Sequence, residues 1–352
     1  MIDIGAVAAG EVKARAAACG FDLCGIAPAA GFQELGFLRE WVARGYHGDM
    51  AYMARTAERR ADVRAVLPSA RSVIVLGTLY NTEQPYSTAI GDASRAAIAR
   101  YAWGDDYHVV IEQRMQRLVE AIRDVAGEFE FKAYVDTGPI QERVYAQYAG
   151  LGWIGKNTCL INKELGSWLF LSAIICDLPL EADGRALDHC GRCTLCIDSC
   201  PTGAIAAPYQ LDARRCLSYM TIETKGPIPA ADRDAIGRHA YGCDICQDVC
   251  PWNRRAASSA DPAWQAREGL AAPSLLELWS RPDDDLRRLL KGSAMKRAGV
   301  RRLRRNLAVA IGNSGDRAAV EGLQESREAT ALDPLVQEHV QWATGKLHGE
   351  ER

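Results

Sequence analysis

Apolar residues along the chain fall into a few distinct periods. "SARSVIVLGTLY" (69–80) is a short β-branched run suited to a buried strand. "HVVIEQRMQRLVEAIRDVAG" (108–127) repeats its apolar positions at helical spacing and ends on a glycine. "EFKAYVD" (130–136) reads as a second strand, and "PIQERVYAQYAG" (139–150) as a helix with Pro139 in its first turn and Gly150 past its end. "SWLFLSAIICDLPL" (167–180) reads as a further strand. The stretch 1–180 is therefore expected to form a mixed α/β domain.

A Pro- and Ala-rich connection over 254–274 leads into a region whose pattern is wholly helical. Within it, "RLRRNLAVAIGNSGDRAAVEGLQES" (302–326) reads as helix, tight turn and helix, the form of one HEAT-like pair. One pair cannot bury its own apolar face, so it should pack on the rest of the chain. The expected class is α+β, in three parts: 1–180, 181–255 and an all-α 256–352.

Composition adds little until the cysteines and the charge are placed. At 352 residues, 48% hydrophobic and 25% charged, the chain has an ordinary globular balance. Its first twenty residues read as an amphipathic helix rather than a secretory signal. No apolar run approaches the roughly 20 residues of a membrane span, so a cytoplasmic protein without a membrane partner is expected. The net charge of −3 conceals a basic segment: residues 285–305 carry +8, which leaves −11 for the remainder. A local positive surface on an acidic protein points to a polyanionic partner.

Twelve cysteines in a reducing compartment are better read as ligands than as disulfides. Cys190, Cys193, Cys196 and Cys200 spell C-x2-C-x2-C-x3-C-P, the bacterial ferredoxin run, whose fourth cysteine serves the neighbouring cluster. Cys243, Cys246 and Cys250 repeat C-x2-C-x3-C-P, and Cys216 replaces the missing leader. Two 4Fe–4S clusters follow: Cys190, Cys193, Cys196 and Cys250 on one, Cys200, Cys216, Cys243 and Cys246 on the other. Structural zinc is the competing reading, but it favours separated pairs over three cysteines in seven residues. Cys19, Cys24, Cys159 and Cys176 read as small core residues.

Three further strings stand out. "GLGWIG" (150–155) fits the dinucleotide fingerprint but follows a helix instead of a strand, so its glycines are read as allowing close approach of a flat or bulky ligand. "YVDTGPIQER" (134–143) places Asp136 where a strand end meets a helix start, a common position for catalytic groups. Helix capping by Asp136 or Thr137 is the plainer alternative. "RYAWGDDYH" (100–108) is dense in polar and aromatic groups ahead of the helix beginning near His108.

These strings, with "GWIGKN", "CLSYMTIETKG" and "YGCDICQDVCPWN", stand in an order that resembles the epoxyqueuosine reductases, over nearly the whole chain. The resemblance implies reduction of epoxyqueuosine to queuosine at the wobble position of tRNA, the epoxide oxygen leaving as water. It implies a cobalamin in the N-terminal domain, cycling between cob(II)alamin and cob(I)alamin, beside the two clusters. It implies a proton donor at Asp136 and cobalamin contacts from Arg60, Ala99, Asp136, Arg143, Leu160, Leu171, Ser218 and Asp244. Some relatives carry cysteine where this chain has Ala99. Lys225 matches a tRNA-facing position, and the basic run offers Lys296, Arg297, Arg301, Arg302 and Arg305 as phosphate contacts, with a solvated helix face as the alternative.

An aspartic acid ordinarily titrates near 3.9. To donate a proton at neutral pH, Asp136 should lie in a desolvated pocket that raises this value. A low-potential electron donor is implied, and a monomer is expected, since a tRNA-sized substrate needs an open face. The competing classes are a corrinoid reductive dehalogenase and a non-catalytic iron–sulfur carrier. The basic segment argues against the first, and 180 N-terminal residues without a task argue against the second.

Overall fold

A computed structural model describes residues 8–325 and 333–349. Residues 1–7 of the expected N-terminal helix lie outside them. Four antiparallel strands form the main sheet in the order Leu23–Pro28, Ser72–Leu79, Leu169–Cys176, Phe131–Val135. The strand Ser72–Leu79 is buried at every position, as its unbroken apolar run requires. Its side chains alternate between two cores. Ile74 and Leu76 face Ile111, Met115 and Leu118 of the helix Tyr107–Ala126, with Val12 and Ala16 of the helix Ala9–Ala18. Val73 and Val75 face Val144 and Tyr145 of the helix Glu142–Tyr148. The sheet is thus covered on both sides by helices.

The strands expected near 72–79, 131–135 and 169–176 and the long helix are all present, the last capped by Asp106 and ended by Gly127 at φ 75°. The helix expected from Pro139 instead starts at Glu142. Residues 136–140 form a bend because Gly138 lies flat on Tyr134, where an added Cβ would sit 2.2 Å from the ring.

"GLGWIG" forms part of a two-stranded hairpin, Trp153–Ile154 against Leu160–Ile161. Gly152 and Gly155 make room for the chain itself. A Cβ at Gly152 would lie 2.2 Å from the Ile161 carbonyl oxygen, and one at Gly155 2.5 Å from Ile161 Cδ1. The close approach at these two glycines is that of the neighbouring strand.

The short helices Leu195–Asp198 and Ile245–Asp248, one in each cysteine run, pack against each other. The strand His239–Tyr241 pairs in parallel with Ala97–Ile98, joining the cysteine region to the N-terminal half. Beyond it, the described residues include the helices Leu275–Ser280, Asp283–Leu290, Gly299–Asn313, Arg317–Glu325 and Pro334–His348. Gly312 lets the third and fifth close on each other, since a Cβ there would sit 2.8 Å from that of Ala343. The helix–turn–helix 299–325 does pack on the rest of the chain. One apolar core runs from Ala96, Ile98 and Trp103 through Met220 and Tyr241 to Leu307, Val336 and Trp342. It crosses both positions, 180 and 255, at which the sequence pattern divides. Among the described residues no helix is long and apolar enough to cross a membrane.

Candidate active site

Asp136 follows the last residue of the strand Phe131–Val135 and adopts φ 58°, a left-handed conformation unusual for a residue with a side chain. The turn is tight, with the Thr137 amide donating to the Val135 carbonyl at 2.6 Å. Arg60, buried at the end of the helix Ala51–Arg60, braces the loop by donating from Nη1 to the Ile140 carbonyl at 2.7 Å. Gln141 returns a bond to the Arg60 carbonyl at 3.1 Å.

The Asp136 carboxylate meets the first turn of the helix Tyr107–Ala126. The Tyr107 hydroxyl donates to Oδ2 at 3.0 Å, and His108 Nε2 lies 3.6 Å from the same oxygen. The other imidazole nitrogen, Nδ1, is 2.8 Å from Oδ1 of Asp106, the buried helix cap. Lys296 approaches Asp106 Oδ2 at 2.7 Å, as an ion pair and not an aligned hydrogen bond. Tyr107 stacks between His108 and Phe170, with ring centroids 4.0 and 4.5 Å away.

Enclosure pushes the Asp136 carboxyl up, but His108, the Tyr107 hydroxyl and the Arg143 charge pull it down, and they win. The side chain is 64% exposed, so its desolvation is incomplete. Asp136 therefore lies below the ordinary aspartate value, the reverse of the expected rise. The raised carboxyls include those of Glu142, pushed up to about 8 by burial and then by the charge of Asp136, and of Asp244, pushed up to about 7 by burial and then by Asp248. His108 is also raised: burial alone would lower it, but Asp136 and Asp106 together outweigh that cost. Neither His108 nor Glu142 was singled out for its chemistry in the sequence, although both sit inside the quoted strings.

Within each expected quartet, cysteines lie in electrostatic reach of one another. Burial, then the neighbouring Cys250, Cys190 and Cys193, pushes Cys196 up to about 11. Cys250 and Cys190 also share an apolar cluster with Trp153 and Trp252. In the second quartet, burial raises Cys243, with Cys216 and Cys200 adding to it. Cys246 is in reach of Cys243 and Cys216. Among the described residues no three His, Cys, Asp or Glu side chains converge on a single ion. A cubane needs a wider set of thiolates than mononuclear zinc, and eight free thiols in two quartets fit two cubanes.

The "GWIGKN" string is tied to both quartets. Lys156 Nζ donates to the carbonyls of Gly191 and Cys193 at 2.7 and 2.9 Å, and Asn157 Nδ2 donates to that of Cys246 at 3.2 Å. Cys159, expected to be a core residue, instead shares a hydrogen bond with Cys246. Cys176 is a core thiol as expected, and Cys19 and Cys24 pack partly buried against the same core; burial pushes Cys24 and Cys176 up to about 12.

Arg143 is within electrostatic reach of Asp136, Glu142 and Cys159, and Asp244 of Cys159. Leu160 and Leu171 pack into one apolar cluster with Tyr134. The Ala99 amide donates to the Tyr241 carbonyl at 2.7 Å, and the next amide, of Arg100, to Asp244 Oδ2 at 2.6 Å. Ser218 is half-buried on the helix Leu217–Ile222, which Cys216 precedes. Glu142 Oε1 is buried without a partner. The unpaired Glu142 oxygen, in electrostatic reach of Arg60 and Arg143, is compatible with an amide donor of the kind a corrin rim carries.

The basic segment is mostly committed internally. Arg305 is fully buried and donates to the carbonyls of Thr224, Gly226 and Met220, so it is not a phosphate contact. Arg302 donates to the Ala298 and Ile222 carbonyls. Arg297 pairs with Glu223 and Arg301 with Asp333, both from exposed positions. Lys225 and Lys296 are exposed.

A model described as the 4Fe–4S double cluster binding domain matches residues 189–253, and one described as epoxyqueuosine reductase QueG, DUF1730, matches 60–137. The epoxyqueuosine reductase of Xanthomonas campestris pv. campestris is 41% identical over 97% of this chain and 96% of its own. The chain belongs to the epoxyqueuosine reductase family. An epoxyqueuosine reductase crystallised with an epoxyqueuosine-modified tRNA-Tyr stem loop superposes with a TM-score of 0.87, at 30% identity, over 96% of this chain and 89% of that one. The Streptococcus thermophilus epoxyqueuosine reductase gives 0.86 at 31%, over 97% and 90%.

Proposed function

We propose that the chain reduces epoxyqueuosine in the anticodon of tRNA to queuosine, with two 4Fe–4S clusters and a cobalamin. The observation that carries this reading is an aspartate on a braced loop against a helix start, with Arg143 in electrostatic reach of both Asp136 and Cys159, in a chain of this family. Arg60, Ala99, Arg143, Leu160, Leu171, Ser218, Asp244 and the unpaired Glu142 oxygen would hold the cobalamin. When bound, cobalamin supplies a low-valent cobalt centre able to deliver two electrons to one carbon–oxygen system.

The chain's own work is positional and protonic. The cysteines and the Lys156–Asn157 clamp hold the clusters as a path for single electrons from a low-potential donor. Asp136, at the end of its strand, faces the departing oxygen and gives it a proton, which avoids expelling an alkoxide. Tyr107 orients that carboxyl. Lys225 and the exposed cations Lys296, Arg297 and Arg301, together with the helical C-terminal region, supply charge for the tRNA backbone.

The test is anaerobic incubation with cobalamin, a low-potential reductant and epoxyqueuosine-containing tRNA, followed by nucleoside analysis. Queuosine should form only with all three present. Its absence from cluster-loaded, cobalamin-saturated protein would overturn the reading.

A further inference from the structure

Removing an epoxide oxygen as water consumes two electrons and two protons. One carboxyl delivers one proton at a time, and Asp136 rests here as an anion between a hydroxyl and an imidazole. The site therefore needs a group that holds a proton and passes it to Asp136.

We propose that His108 is that group: its imidazolium transfers the Nε2 proton to the Asp136 carboxylate and recharges the acid that meets the substrate oxygen. In this step the N–H bond of His108 breaks and an O–H bond of Asp136 forms. His108 becomes neutral and regains its proton from water. No oxidant or reductant enters. The proposal rests on the reading of Asp136 as the proton donor.

The geometry supports each part. His108 Nε2 is 3.6 Å from Asp136 Oδ2, just beyond a direct bond, in the range where catalytic contacts stand before substrate closes the site. Nδ1 is fixed on Asp106 at 2.8 Å, which leaves Nε2 as the nitrogen aimed at Asp136. Asp106 is a buried carboxylate that Lys296 and His108 keep ionised against its desolvation. An imidazolium between two carboxylates is stabilised, and Asp136 and Asp106 raise His108 above its ordinary value. The charged and titratable groups around it are Asp106 and Tyr107 on its own helix start, Asp136 on the strand-end loop with Arg143 beyond, and Lys296 from the C-terminal region. At 34% exposed, the His108 side chain reaches water for reloading. Tyr107 cannot replace it: burial and Asp136 push its hydroxyl far above neutrality, so it orients and does not ionise.

The test has two readouts. In the first, the His108 ring is titrated by NMR in cluster-loaded protein without tRNA, against the same protein carrying Asp136→Asn. The midpoint should lie above the ordinary histidine value of about 6.5 and fall in the variant. A wild-type midpoint at or below that value overturns the proposal, whether or not Asp136 is the donor. In the second, single-turnover reduction is followed with excess reductant. His108→Ala should lose about 10²-fold and the alkaline limb of the pH profile. Added imidazole should restore rate in proportion to its protonated fraction. A His108→Ala enzyme that keeps the wild-type rate and profile, or one slowed but indifferent to imidazole, overturns the relay. If Asp136→Asn turns over normally, the donor reading itself fails, and the NMR titration still reports on His108.

Discussion

At the scale of single residues the site is an alternation of charge: Lys296, Asp106, His108, Asp136, each within reach of the next. Asp136 occupies a left-handed conformation that asparagine tolerates. Asp136→Asn should therefore keep the backbone turn, the clusters and cobalamin binding, yet lose about 10²–10⁴-fold in turnover. Iron content, the cobalamin spectrum and nucleoside analysis check this together, and retained turnover would remove Asp136 from the chemistry. The string "VDTGPIQER" made Asp136 legible, because a strand end beside a helix start is visible as a change of period. The protonation state was not legible. It depends on His108 and Tyr107, more than twenty residues away, and on how far water reaches the carboxyl. Glu142 was hidden for the same reason, since nothing local says which of two nearby carboxyls is buried.

At the scale of elements, the loop 136–141 is fixed by contact and not by propensity. Pro139 suggested a helix start, but the flat contact of Gly138 on Tyr134 delays the helix to Glu142. Gly138→Ala places a methyl group 2.2 Å from the Tyr134 ring, and the loop or the strand must move. We expect a loss of about 1–3 kcal/mol in stability, as for overpacked cores, with a larger fractional loss of turnover than of cobalamin affinity. Denaturant unfolding set beside single-turnover rates checks it, and unchanged rates would show that the loop need not hold this shape. The hairpin 153–161 teaches the complementary lesson. Its glycine spacing matched a nucleotide motif, but the atoms that crowd Gly152 and Gly155 belong chiefly to Ile161, and the one nearest Gly150 to Gly184. The cysteine spacing, in contrast, pointed to the double 4Fe–4S domain whose family model matches residues 189–253, because each run is a short local pattern.

For the whole molecule, the core joining Ala96–Trp103 to the cysteine region and the C-terminal helices is the main feature the pattern did not reveal. Its contacts are long-range, whereas periodicity reports only local faces. His339 ties it together: buried on the last described helix, it accepts from the Ile228 amide at 3.1 Å and faces the Leu335 carbonyl at 2.7 Å. Burial holds its value down to about 4. The folded state thus keeps it neutral where the unfolded chain, at about 6.5, takes up a proton. Its contribution is complete above pH 6.5 and is lost as pH falls towards 4, by up to about 3 kcal/mol. Urea midpoints between pH 7 and 5 should show this fall, and His339→Gln should flatten it. An unchanged slope would mean that other groups govern the acid limb.

The pairing of Ala97–Ile98 with His239–Tyr241 also bears on how the protein is made. During synthesis the first of these strands leaves the ribosome long before its partner exists, and the helices that cover it come later still. The N-terminal sheet can form early, but the segment 96–103 beside the acid stays incomplete until nearly the last helix arrives. A chain cut short by premature termination would therefore display an uncovered apolar strand, and would be a natural target for quality control.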